Sequence, residues 1–387
     1  MKLTFVADLA LGMTAIIAAL GAAEVAVRVY ATVSRSAAAA EIAQSDPFAV
    51  KVRPDGALGY RQTPNTVYRY PNGVVATSNA QGFRGPLVAL VKPAGTIRIV
   101  LLGGSTTHGW GVPDDSTIDA FMRQELSREY PAFRFEVVNL AFDGYDSFQA
   151  LERLRVDGLP RDPDVIIVNA GANDVRNARY PELKYGDERS LLWASTMQRL
   201  RTEVARGGPT LWTRVKHYSY LLRLPGIVHE HLREREMAGA APLRPDMAAA
   251  DYFERNLDQI AELAVGQNAC LILSTDPSAL RWYRPDTTSN EDYWIGDAAQ
   301  TQRMRDTLDA RTREVVTRWA AAGESVRYVA HDLRRDWFMD DAHLTPAGYR
   351  GVAEDFVRAI GALLPPSAGP GHLGTIPACR ALPPKIK

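Results

Sequence analysis

Gly103-Gly104-Ser105-Thr106-Thr107 sets a serine behind two glycines, where a chain can turn sharply and lift a hydroxyl clear of its own backbone. Far downstream, Asp340-Asp341-Ala342-His343 puts a carboxylate three residues before an imidazole, close enough on one turn to bind the ring N–H and fix its tautomer. Hydroxyl, imidazole and carboxylate together make a nucleophile, its base and the orienter of that base, the set required for acyl transfer through a covalent intermediate. Two other stretches supply donors. Asn169-Ala170-Gly171-Ala172-Asn173-Asp174 offers the Asn173 carboxamide to a developing oxyanion, and Phe142-Asp143-Gly144-Tyr145 offers a bare backbone N–H at Gly144. Each stretch alone also has an ordinary reading: Ser105 as a helix N-cap, Asn173 as an Asx turn, Gly144 as a turn. Asp174 and Asp341 compete with Asp340 as orienter. His108 points along the helix that follows Ser105, which favours lining or packing over a role as base.

The elements that must hold these groups are legible around them. Short β-branched runs at 97–102, 135–140, 165–169, 270–274 and 326–330 alternate with helical patterns at 117–129, 147–157, 247–266, 298–322 and 346–364. Strands alternating with helices predict an α/β fold, a three-layer α/β/α sandwich on a five-stranded, mainly parallel, flavodoxin-like sheet. In such a sheet reactive groups gather past the carboxyl ends of the strands, and all four stretches follow strands.

In that order, the four stretches resemble the blocks of the SGNH, or GDSL-type, hydrolase superfamily, over roughly 98–364. Ser105 matches the nucleophile block, Gly144 the second, Gly171 and Asn173 the third, and Asp340 with His343 the last. The preceding Gly82-Phe83-Arg84 resembles a segment of the membrane-anchored bacterial branch. One departure is visible: the family's Gly-Asp-Ser is Gly-Gly-Ser here, with Gly104 for the aspartate. The resemblance implies Ser105 as nucleophile, His343 as base, Asp340 as its orienter, and an oxyanion hole from the N–H groups of Ser105 and Gly144 and the Asn173 side chain. It implies neither metal nor cofactor.

The rest of the chain frames this region. The run 3–23 is apolar apart from Asp8 and is followed by Glu24 and Arg28, and about 20 apolar residues suffice to cross a bilayer. It reads as a membrane anchor, with a cleaved signal peptide and then a buried helix of a soluble protein as the alternatives. Expected organisation is therefore an anchor at 1–30, a stalk and β-rich apron outside the catalytic core at 31–95, the hydrolase domain at 96–364, and a loose tail at 365–387. An insertion at 176–245, bearing Trp193, Trp212, Tyr218 and Tyr220, is long enough for a lid or substrate wall. Lys+Arg and Asp+Glu both number 45, so no charge excess draws the chain to nucleic acid. Cys270 and Cys379 have no ligand-like spacing; Cys270 reads first as a buried free thiol, with a bridge to Cys379 as the alternative.

Three functions fit. The leading one is an ester hydrolase deacylating or deacetylating a carbohydrate or lipid at the cell envelope, with its domain periplasmic or extracellular. The same serine serves an O-acetyltransferase that differs only in its acceptor. A non-catalytic glycan-binding scaffold is the third, and the joint presence of all five site residues speaks against it.

Overall fold

The computed structural model describes residues 2–34, 51–70, 72–178, 219–228, 247–282 and 297–364, with single residues 211, 215 and 232. The expected stalk, Trp193, Trp212, Tyr218, Cys379 and the tail lie outside them.

α1 (Lys2–Val33) contains a 21-residue stretch, Leu11–Ala31, of mean hydropathy 1.6, apolar and long enough to cross a membrane. An anchor and a signal sequence share that character. Two antiparallel hairpins follow: β1 (Val52–Asp55) with β2 (Gly59–Gln62), and β3 (Val67–Arg69) with β4 (Val75–Thr77).

β5 (Thr96–Gly103), β6 (Arg134–Asn139), β7 (Val165–Ala170), β8 (Cys270–Thr275) and β9 (Val326–Tyr328) form the central sheet, in order β6-β5-β7-β8-β9 with every pairing parallel. The helices are α2 (Ser105–His108), α3 (Ile118–Glu129), α4 (Ser147–Arg153), α5 (Ala172–Asn177), α6 (Met247–Gly266), α7 (Ala298–Ala321) and α8 (Pro346–Gly361). Side chains leave a strand on alternate faces, and the two cores follow that period. Val100, Leu102, Ile166 and Val168 join α4, α6 and α7 through Leu151, Phe253 and Leu308. Ile99, Leu101, Ile167 and Ile272 face α3 and α8 through Met122, Val352 and Phe356. Three layers result, as expected from the continuous apolar runs of strands buried on both sides.

Two local departures have physical causes. The helix expected over 147–157 ends at Arg153 and widens through Leu154–Gly158, where Pro160, lacking an N–H, prevents regular continuation. Cys270 is disulfide-bonded rather than a free thiol, which corrects the simplest reading of that residue.

The chain leaves β5 toward β6 on one side, whereas β8 and β9 extend the sheet on the other. The strand order thus reverses between β5 and β7, and a crevice forms at their carboxyl ends.

Candidate active site

Ser105 opens α2 directly after β5. Gly103 reaches it with φ +152, and a Cβ there would lie 2.0 Å from Asn169 O, so only glycine permits this turn. Thr107 then ties the turn to β7 by donating to Asn169 O at 3.0 Å, while Asn139 Nδ2 donates to Thr107 O at 3.0 Å.

The Ser105 hydroxyl lies 2.9 Å from His343 Nε2, and His343 Nδ1 lies 2.7 Å from Asp340 Oδ2. Asp340 Oδ1 also accepts from the backbone N–H groups of Ala342 and His343, at 2.8 and 2.7 Å. Burial works to raise the Asp340 carboxyl, but His343 and these N–H groups outweigh it and hold it below its ordinary value. A carboxylate so held stays ionised and keeps Nδ1 protonated, leaving Nε2 to face the serine. Asp174, one of the two rival orienters, is occupied elsewhere: its carboxylate accepts from Ser147 N and Oγ at the start of α4. Thr106 Oγ1 donates to Ala342 O at 3.2 Å and joins the serine turn to the histidine loop.

The residues expected as donors lie in the loops that meet the nucleophile turn at Gly104, where Asn173 and Tyr145 approach it. Gly144 has φ +80, a left-handed turn conformation suited to glycine. Asn173 Nδ2 donates to Tyr145 O at 3.0 Å, which uses one of its two hydrogens and orients the other. A Cβ on Gly104 would lie 2.5 Å from Asn173 Nδ2 and 2.9 Å from Tyr145 O. The Gly-Gly-Ser departure therefore has a cause: the Asn173 amide occupies the space that a side chain at 104 would need.

Several neighbours escaped sequence reasoning. Trp110 stacks on the His343 ring, with centroids 4.2 Å apart and planes at 24°. Under the Gly144 turn, the Asp143 carboxylate binds the Lys51 ammonium and His108 Nδ1, the latter at 2.8 Å. Tyr60 Oη donates to Asp143 O at 3.0 Å, and Tyr145 Oη donates to Tyr60 O at 2.7 Å. The leading hairpins, expected as an apron outside the core, are thus built against this turn. Burial, against the pull of Asp143, holds the His108 imidazole down to about 4, so it is neutral near pH 7 and serves packing, as expected. Arg84 of the Gly-Phe-Arg segment gathers the carbonyls of His108, Gly109 and Val112 behind α2. Its motif is structural support.

A second serine–histidine–carboxylate chain was also missed. Ser274 Oγ lies 2.7 Å from His331 Nε2, and His331 Nδ1 lies 2.9 Å from Asp355 Oδ2. Ser274 sits within β8, registered against Asn169 in the parallel ladder, with no glycine turn to lift it. The chain ties α8 to the sheet.

Serine, imidazole and carboxylate at the switch point of a parallel sheet define a candidate serine hydrolase site. The chain belongs to the GDSL-like lipase/acylhydrolase family, whose profile matches residues 101–350. No curated protein matches it in sequence. Among solved structures, a GDSL-like lipase from Bacteroides thetaiotaomicron is 17% identical over 69% of this chain and 89% of its own, with TM-score 0.38. A lipase/acylhydrolase from Enterococcus faecalis is 17% identical over 70% and 100%, with TM-score 0.39. An acetylxylan esterase from Geobacillus stearothermophilus is 15% identical over 68% and 94%, with TM-score 0.38.

Proposed function

We propose that this protein is a serine esterase that removes a short acyl group, such as acetyl, from a carbohydrate or lipid ester at the cell envelope, with its domain outside the cytoplasm. The observation carrying the reading is the unbroken chain from Ser105 Oγ to His343 at 2.9 Å and on to Asp340 at 2.7 Å. His343 Nε2 takes the serine proton as Oγ attacks the ester carbonyl, and Asp340 stabilises the imidazolium. The N–H groups of Ser105 and Gly144 and the second hydrogen of Asn173 Nδ2 receive the oxyanion. His343 then protonates the departing alcohol, and a water activated by the same imidazole releases the acid from the acyl-serine. Asn173→Ala should lower kcat by ~10²–10³ in a folded protein.

The test is hydrolysis of p-nitrophenyl acetate by wild type and Ser105→Ala, with and without a polysaccharide acceptor. Turnover lost in the variant and indifferent to acceptor supports the esterase. Acceleration by acceptor, with acetylated product, would make the protein an O-acetyltransferase. A folded wild type that neither turns over nor reacts with a fluorophosphonate would leave a glycan-binding scaffold.

A further inference from the structure

α1 changes character at one point. From Leu11 to Ala22 every side chain is exposed around the whole circumference. From Ala23 onward one stripe is covered among the described residues, comprising Ala23, Glu24, Val27 and Ala31, three to four apart where they share a helix face. The same point ends the apolar run 3–23 and brings the first charge after Asp8, Glu24. At about 1.5 Å per residue that run spans about 30 Å, the hydrocarbon thickness of a bilayer.

Part of the long insertion meets this stripe at Glu24. Glu24 accepts from Tyr220 N and Leu221 N, both at 2.9 Å, and from Ser219 Oγ at 2.8 Å. Ser219 Oγ in turn accepts from Leu222 N at 3.1 Å. The first three amides of the helical segment 220–228 are thereby satisfied, two of them by a carboxylate from another helix. Arg28 pairs with Glu24 at 2.7 Å and lies 4.5 Å over the Tyr220 ring, while Arg223 lies 4.4 Å from the same ring. Beyond this polar joint, Val228 and Leu232 are each 54% exposed on the insertion, and Val25 and Val29 are 60% and 54% exposed on α1.

We infer that residues 219–228 of the insertion, with Leu232, are seated on the membrane surface by Glu24, and that lipid is the partner covering their exposed apolar side chains. This rests on reading α1 as an uncleaved anchor. Continuity decides for lipid: the exposed residues flank the joint where an all-round exposed apolar helix acquires its first polar contacts, and tyrosine between guanidiniums is chemistry suited to the headgroup layer. The anchor is then part of a rigid mount and not a loose tether.

The test uses the full chain in phosphatidylcholine–phosphatidylglycerol vesicles. Cys270 is disulfide-bonded and no described cysteine is free, so Val228→Cys introduces a thiol for an environment-sensitive fluorophore. The expected result is retention after alkaline carbonate washing, blue-shifted emission, and at least twofold quenching by headgroup-level spin-labelled lipid. Adding Glu24→Ala should abolish the quenching and speed tryptic cleavage after Arg223 several-fold, while fluorophosphonate labelling of Ser105 reports that the domain remains folded. A retained protein whose Val228 probe emits as in water overturns the docking and leaves the anchor standing. A protein washed from the vesicles overturns both.

Discussion

The indole of Trp110 lies against a face of the His343 imidazole, centroids 4.2 Å apart, and so leaves free the ring edges that meet Ser105 and Asp340. A ring face attracts a cation, so the contact strengthens when His343 takes the serine proton. Trp110→Leu should lower kcat about tenfold, in line with ~1–2 kcal/mol for a desolvated cation–π contact. Trp110→Phe should recover part of the loss, and equal rates for the two variants would show that packing alone matters.

Gly104 should resist any side chain. Gly104→Ala forces the Asn173 amide or Tyr145 carbonyl to move, because the new Cβ would lie 2.5 and 2.9 Å from them. We expect kcat on p-nitrophenyl acetate to fall by ~10² with far-UV circular dichroism unchanged, as for loss of one oxyanion donor. Gly104→Asp, which restores the family's usual residue, should be no better. Full activity in either variant would remove Asn173 from its assigned role.

Lys51, buried, pairs with the part-buried Asp143 beside the Gly144 turn. Lys51→Met leaves the part-buried Asp143 carboxylate with His108 as its remaining side-chain partner and should destabilise the fold by about 1–3 kcal/mol. Lys51→Met with Asp143→Asn removes both charges and should regain most of that stability. If the pair aims the turn, the double variant keeps a reduced kcat with nearly unchanged KM; a rate that recovers along with stability would limit the pair to folding.

Asp276 gives the fold a pH dependence. Burial pushes its carboxyl up to about 6, and the nearby Asp174 charge adds to this, against the pull of Ala172 N–H, Arg305 and His343. The folded protein thus binds this proton more tightly than the unfolded chain does, so the contribution to stability is full below the unfolded pKa and is lost as pH rises through about 6. Asp276→Asn stays neutral and keeps an acceptor for Ala172 N, which donates at 3.0 Å. Its melting temperature should exceed that of wild type at pH 8 and match it at pH 4. A pH-independent difference would contradict the assignment.

Ser274 has a hydrogen-bonded histidine and carboxylate but lies within β8 with no turn to present it, so it should not react. A fluorophosphonate should add once to wild type, at Ser105, and not at all to Ser105→Ala. His331→Ala should lower the melting temperature by loosening Asp355 on α8 from Ser274 on β8, and leave labelling intact. An adduct on Ser274 would reverse this reading.

The parallel strands were legible because burial on both faces writes them as unbroken apolar runs, as in Val165–Ala170. The four loops were legible because a strand end that turns sharply and bears a polar group leaves glycine, asparagine or serine in fixed order. Contacts closing over long separations left no such trace. Lys51 meets Asp143 across 92 positions, and neither residue type announces the other. Trp110 reads locally as a loop aromatic, and only the arrival of His343 beside it gives it a role. Gly104 was visible as a departure, but its cause lay in where Asn173 points.

Ser105 and His343 stand 238 positions apart, near opposite ends of the stretch that matches the family profile. The hydroxyl emerges early with β5, whereas its base arrives only just before α8, the last described helix. A chain that has built most of the sheet therefore still lacks the imidazole that pairs with Ser105. The hydroxyl meets its base only when the histidine loop and α8 dock against the built sheet, so forming this pair reports that the domain has closed.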